Sequence, residues 1–229
     1  MPVVYLIRHA QASFGDGSYD VLSSLGERQS ALIGASLNAR GIDREPDHVV
    51  SGTLRRQRDT ALRSFPSLDG GLAIDARWNE YDTASVLAVH GAFPADQPHT
   101  ELGAPAGIGT RGFQALLDPA LEAWVTAGEQ STANETWPAF RQRALDALEE
   151  LAHELGSGEN GIAFTSGGVI GAICMDLLGG PGTMFVALNR VSINGAITKI
   201  IYGRGGPRLV SFNDHAHLES GDRELMTFR

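Results

Sequence analysis

The amino-acid sequence predicts an α/β fold, a three-layer α/β/α arrangement around a mostly parallel central sheet. Three observations predict it. The chain opens on the apolar run Val3-Val4-Tyr5-Leu6-Ile7, whose β-branched residues suit a strand buried on both faces. Strand-like and helix-like segments then alternate over most of the length, the pattern of a sheet covered on both sides. Three strand ends lead onward through short turns: Ile7-Arg8-His9-Ala10, Val50-Ser51-Gly52-Thr53 and Thr165-Ser166-Gly167-Gly168.

The elements follow in order. Strand 3–7 gives way to a polar, Gly-rich loop through Tyr19. Residues 23–40 read as a helix: Ser23 or Ser24 caps it, Leu25, Gln29, Leu32, Ile33 and Leu37 recur at helical spacing, and it ends before Gly41. His48-Val49-Val50 forms a second short strand, turned by Ser51-Gly52 into a helix from about Thr53 to Arg63. Leu72-Ala73-Ile74 is a third strand that ends near Trp78-Asn79-Glu80. Residues 83–110 hold Gly91, Pro94, Pro98, Gly103, Pro105, Gly107 and Gly109 with little periodicity, and read as a long irregular excursion of the kind used for lids and binding loops. Residues 111–127 place Phe113, Leu116, Leu117, Leu121, Trp124 and Val125 on one side of a helix, with Pro119 marking a place for a break.

A stronger helix covers about 137–155, capped by Thr136, with Pro138 in its first turn and a stripe of Phe140, Ala144, Leu148, Leu151 and Leu155. Ile162-Ala163-Phe164-Thr165 is a central strand. Ser166-Gly167-Gly168 leads into an apolar helix at 169–178, and Pro181 starts another short one. Strands at about 196–202 and 208–212 close the pattern. The expected organisation is a single domain over 1–229 with an inserted lid or cap region at about 83–135.

Composition narrows the function. The 229 residues are enough to bury a substantial core, and 42% hydrophobic with 20% charged residues is a globular balance. A net charge of −9 argues against a protein that coats nucleic acid. An acidic protein that binds anions needs a local cationic pocket, so clustered arginines become informative. Cys174 is the single cysteine, in an apolar stretch, which excludes an intrachain disulfide and fits a reducing compartment and a buried core thiol. Met1-Pro2 runs straight into the first strand without a signal peptide, and no apolar stretch reaches membrane-spanning length. A cytoplasmic protein with no membrane partner is expected.

If the strands are parallel, the three junctions share one sheet edge, where α/β proteins bind ligands and where helix N-termini present free amides to an anion. Arg8 and His9 bring a fixed cation and a nitrogen nucleophile to that edge. The helix after Ser51 carries Arg55, Arg56 and Arg58 in its first two turns. Cations there oppose the helix dipole by about 0.3 kcal/mol or more each, so one of them is expected to face an anion. Arg55 and Asp59 at i,i+4 suit a solvated pair, which leaves Arg56 or Arg58 to point inward. The plainer alternatives are a strand-end salt bridge with a satisfied core histidine, and a solvated arginine face. One shared phosphate site accounts for both features together.

These segments resemble the histidine phosphatase superfamily, the phosphoglycerate-mutase-like fold. Its first signature is Arg-His-Gly followed by Glu or Gln, and Arg8-His9-Ala10-Gln11 stands in its place. Asp20-Val21-Leu22-Ser23-Ser24-Leu25-Gly26-Glu27-Arg28-Gln29 is similar to its Asp-x-x-Leu-Thr/Ser-x-x-Gly-x-x-Gln segment. Ser51 through Ala61 is similar to its second-arginine helix, and aligning on Leu54 and Thr60-Ala61 makes Arg56 the site arginine. Arg77-Trp78-Asn79-Glu80 matches the region of the catalytic acid, which carries over to Glu80. The resemblance spans most of residues 1–215 except the excursion. In two places the chain departs from the pattern: Ala10 replaces the usual glycine, and Ser166 stands where the family places a second histidine.

The resemblance implies phosphoryl transfer through a phosphohistidine. His9 is the nucleophile, Arg8 and Arg56 clamp the phosphoryl oxygens, and Glu80 is the acid and then the base. Gln11, Ser13, Ser166 and Gly167 are candidate phosphate or substrate contacts. No cofactor and no metal are required, because arginines do the charge work. The leading expectation is a phosphatase acting on a small phosphorylated metabolite. A mutase is the rival, though Tyr81-Asp82-Thr83-Ala84 follows Glu80 where family mutases continue Arg-His-Tyr-Gly. A phosphate-ligand binding protein that has lost turnover is the third reading, supported by Ser166. His215-Ala216-His217 offers two imidazoles at metal-binding spacing but no further ligand, and reads as surface or C-terminal packing. His90 and His99 fall in the excursion, within reach of a substrate.

Overall fold

The computed structural model describes residues 1–13, 20–42, 48–68, 70–91, 109–219 and 223–228. Its six-stranded sheet has the order β3-β2-β4-β1-β5-β6. The strands are β1 (Val3–Arg8), β2 (Val49–Ser51), β3 (Ala73–Ile74), β4 (Asn160–Thr165), β5 (Ile197–Gly203) and β6 (Gly206–Asp214). β1, β2, β3 and β4 pair in parallel, while β5 is antiparallel to both of its neighbours. Among the described residues the α-helices are α1 (Ser24–Ala39), α2 (Arg55–Ser64), α3 (Thr83–His90), α4 (Thr110–Ala127), α5 (Trp137–Glu154), α6 (Gly167–Leu177) and α7 (Gly182–Val191).

The period of two in β1 divides the core. Tyr5 and Ile7 pack with Ile162 and Phe164 against Ile33 and Leu37 of α1 and Ala61 of α2. Val4 and Leu6 face the other way, into a larger core with α3 through α7. The expected three layers are therefore present, built on the alternation of side chains along one strand. Register places Arg8 opposite Thr165 and Ile7 opposite Phe164. The ends of β1 and β4 thus lie side by side, and Ser51 of β2 pairs with Phe164 on the other flank of β4.

Two local expectations change. The stretch from residue 83 is not irregular throughout: Asp82 caps α3, accepting from the Ser85 amide at 2.9 Å, and Val86 and Leu87 are buried. Residues 92–108, with His99, lie outside the described residues. α4 continues through Pro119 without a break. A helix-interior proline costs about 3 kcal/mol. Phe113 and Leu117 before it, and Leu121 and Trp124 after it, are almost completely buried at about 1.5–3 kcal/mol each, so packing on both sides outweighs the cost. α3 and α4 join the main core and do not stand apart from it.

α1 and α2 approach closely because Gly34 carries no side chain: a Cβ there would lie 2.2 Å from the Ser64 carbonyl oxygen. Gly34→Ala is expected to destabilise the protein by about 1–3 kcal/mol through overpacking, even though alanine gains up to about 1 kcal/mol of helix propensity. Urea denaturation checks this; a stabilised variant would show that the two helices separate at little cost.

Candidate active site

The site begins where β1 stops. The His9 amide donates to the Thr165 carbonyl at 2.8 Å, and the Arg8 amide to that of Ala196 at 3.1 Å. From the other side the Gly195 amide donates to the carbonyls of Arg8 and His9, and Asn194 Nδ2 to the carbonyl of His9. The Ala10 amide donates to Thr60 Oγ1 at 3.0 Å. The loop backbone is therefore held by the ends of two neighbouring strands and by α2, and the side chains of Arg8 and His9 are buried on it.

His9 Nδ1 lies 2.8 Å from the Ala10 carbonyl oxygen. A carbonyl only accepts, so Nδ1 carries the proton and Nε2 carries the lone pair. Nε2 faces Arg56 Nε at 3.2 Å. Arg56 is buried, whereas Arg58 is exposed and Arg55 pairs with Asp59 at the surface, so the open choice between Arg56 and Arg58 resolves to Arg56. Arg8 Nη1 donates to the Ser192 carbonyl.

α2 has no cap of its own, since Leu54 holds that position. Asp20 supplies one from a different segment. Its Oδ2 accepts from the Arg55 amide at 2.8 Å, and its Oδ1 accepts from the Arg56 amide at 3.3 Å and from Arg56 Nη1 at 2.9 Å. One carboxylate thus offsets the arginine-rich first turn and orients the inward guanidinium. The missing cap and the unfavourable charges were the signal for such an anion; the residue that supplies it lies 35 positions earlier.

Glu80 follows the short turn Ala76–Trp78 after β3. Its Oε2 accepts from the Gly168 amide at 3.1 Å, near the start of α6, and its Oε1 from the Tyr81 amide at 3.3 Å. Burial pushes this carboxyl above its ordinary range, against the opposing pull of the Gly168 amide, Arg56 and Arg8. Gly168 leaves room for both groups: a Cβ would lie 2.1 Å from Glu80 Oε1 and 2.6 Å from the packed Tyr81 ring. Arg143 of α5 secures the loop. Its Nη1 donates to the carbonyls of Arg77 and Asn79 at 2.7 and 2.8 Å, and Nε and Nη2 form a fork with Glu135 at 2.6 and 2.9 Å. A lysine has no such planar fork. Asn79 ties the loop to the β2–α2 turn through the Thr53 amide and hydroxyl, each at 2.7 Å. Tyr81 anchors it in an aromatic cluster, 5.5 Å from Trp124 and 5.7 Å from Phe140 between ring centres.

The remaining candidates are placed as follows. Ser166 lies at the end of β4 with no exposed surface, and its Oγ accepts from Gln57 Nε2 at 2.8 Å. Gly167 opens α6; a Cβ there would sit 3.4 Å from Arg8 Nε. Gln11 is half-buried, with its side-chain oxygen accepting from Ser23 Oγ at 2.8 Å and its amide donating to Gln29 Oε1 at 2.7 Å. Ser13 is half-buried, its amide bonded to the Val21 carbonyl. Gln29 also reaches the C-terminal segment, donating to the Leu225 carbonyl and Thr227 Oγ1, while the Thr227 carbonyl and hydroxyl bond to Asn194. Asp20, Gln57, Asn79 and Arg143 escaped the reading of the sequence as site residues.

Outside the site, His90 pairs with Ser131 at 2.8 Å, and His217 Nε2 donates to the Gly195 carbonyl at 3.1 Å. Cys174 is buried, which pushes its thiol up to about 12. Among the described residues no helix is long and apolar enough to cross a membrane.

Comparison with known proteins agrees with this geometry. The family model of the histidine phosphatase superfamily (branch 1) matches residues 4–89 and 100–215. No protein of curated function matches the chain by sequence. Among solved structures, a mutant phosphoserine phosphatase from Entamoeba histolytica in complex with phosphoserine is 19% identical with a TM-score of 0.67, over 95% of this chain and 100% of that one. A mycobacterial glucosyl-3-phosphoglycerate phosphatase is 21% identical with a TM-score of 0.63, over 93% and 99% of the two chains. These likenesses establish the fold.

A carboxyl whose pKa is raised by folding supports the folded state fully only below its unfolded value of about 4.3, and loses that support as pH rises through the folded value. Glu80 therefore costs stability at neutral pH. Relative to the native protein, Glu80→Gln is expected to become more stable as pH rises from about 4 to about 8. Thermal unfolding across that range checks it, and a difference that stays flat with pH would show that Glu80 titrates normally in the folded chain.

Proposed function

We propose that this chain, which belongs to the histidine phosphatase superfamily (branch 1), is a phosphatase that hydrolyses a small phosphorylated metabolite through a phosphohistidine. One observation carries the reading: the His9 ring is locked by Ala10 so that an unprotonated Nε2 faces the Arg56 guanidinium at 3.2 Å.

In the first step Nε2 of His9 attacks phosphorus in line, and the P–O ester bond breaks. Arg8 and Arg56 neutralise charge on the equatorial oxygens, which is the main work in phosphoryl transfer. Glu80 gives its proton to the departing alkoxide. Its raised pKa keeps a proton available closer to neutral pH than an exposed carboxyl would. In the second step the Glu80 carboxylate takes a proton from water as the oxygen attacks phosphorus. The P–Nε2 bond breaks, inorganic phosphate leaves, and both residues return to their starting states. Gln11, Ser13 and the backbone at Gly167 serve in this reading as further phosphate or substrate contacts. The two arginines stand in for a metal ion.

Phosphoserine and 3-phosphoglycerate-type esters, named for the structural neighbours, are the first substrates to try. A second reading, a phosphate-binding protein without turnover, draws on the serine at position 166 where relatives carry an imidazole.

Purified protein is expected to hydrolyse an aryl phosphate in the presence of a chelator, with His9→Ala lowering kcat/KM on the order of 10³-fold. Acid-labile, base-stable labelling should accompany turnover and disappear in the variant. Inactivity of the native protein across a pH series and a panel of phosphorylated metabolites would favour the binding protein, and activity untouched by His9→Ala would remove the phosphohistidine.

A further inference from the structure

Gln57 follows Arg56 in α2 but belongs to a different environment. Its side chain is completely buried. Nε2 donates to the Trp78 carbonyl at 3.0 Å and to Ser166 Oγ at 2.8 Å. Because the carbonyl only accepts, the amide nitrogen is the atom that faces it, and both amide protons are committed. The Trp78 carbonyl also accepts from Thr165 Oγ1 at 2.6 Å. Two residues further on is Glu80. The three hydrogen bonds therefore join α2, the end of β4 and the acid loop at one buried point.

The surroundings are fitted to this amide. Gly52 leaves it room, since a Cβ there would lie 2.0 Å from Gln57 Oε1. That Oε1 is buried and meets no donor among the described residues. Ser166 has no exposed surface, and its Oγ is engaged by the Gln57 amide.

We propose that Gln57 is a positioning residue, which with Ser166 forms a neutral buried brace that holds the acid loop against β4. The brace takes the place of a second imidazole at position 166. Phosphoryl charge is then met by Arg8, Arg56 and backbone amides, and Gln57 acts through the aim of Glu80. The proposal rests on the phosphatase reading, and its test separates the two.

The full-length protein, Gln57→Leu and Ser166→Ala are compared on an aryl phosphate, whose leaving group departs without help, and on an alkyl phosphate, whose leaving group needs the proton of Glu80. Gln57→Leu is expected to lower kcat on the alkyl ester on the order of 10²-fold and on the aryl ester by about tenfold or less, with KM little changed. Ser166→Ala shifts the same ratio in the same direction by a smaller factor, and it serves alone should Gln57→Leu fail to fold. Equal losses on both esters, or a rise in KM alone, would overturn the brace and assign these residues to the phosphoryl group or to general stability. Amide exchange supplies a readout free of turnover: protection at 78–81 should fall in the variants while α5 keeps its own. If the native protein hydrolyses neither ester, the phosphatase reading fails. Exchange then decides the brace, and unchanged protection at 78–81 overturns it.

Discussion

Everything in the site is arranged around the hydrogen bond from His9 Nδ1 to the next carbonyl in the chain, that of Ala10. This contact chooses the tautomer and the direction of the ring in one stroke. It works only if the Ala10 carbonyl is itself immobile, and the surrounding structure ensures that. Thr60 receives the Ala10 amide while donating its own hydroxyl proton to the Arg56 carbonyl at 2.6 Å. The direction of the His9 ring and the backbone of Arg56 are thereby locked to each other through Thr60. The parallel pairing of β1 with β4, and the antiparallel pairing of β1 with β5, supply the rigid frame.

Glu80 is held on a different principle. Glu80 sits outside regular structure, and its position is assembled from contacts with five elements: the Arg143 fork from α5, the Asn79 clasp on the β2–α2 turn, the Tyr81 ring between α4 and α5, the Gly168 amide of α6 and the Gln57 amide of α2. Such redundancy is what a buried carboxylate needs, since burial alone drives it toward neutrality or toward water. The raised pKa follows from the same burial.

Much of this was legible in the sequence, and the limits are physical. Strand and helix positions followed from periodicity, and Arg8 and His9 stood out because charge interrupts an apolar run. The arginine excess at the start of α2 announced an anion. What local pattern does not encode is the partner across the chain. Asp20 and Arg56 are 36 residues apart, Arg143 and Asn79 are 64 apart, and Gln57 and Ser166 are 109 apart. Asp20, Gln57, Asn79 and Arg143, each taken in its own segment, read as ordinary polar residues. α3 was missed because its eight residues precede a Gly/Pro-rich stretch whose composition dominated the reading, although Asp82 was its cap.

The wiring of Gln29 and Asn194 to Leu225 and Thr227 has a consequence for the order in which the protein comes into being. Arg8, His9 and Gln11 leave the ribosome well before part of the frame behind their loop, since Gln29 is bonded to Thr227, 198 positions further along the chain. Translation delivers these residues before the contacts that fix their loop. A nascent chain that has not yet reached Thr227 carries His9 without this part of its frame.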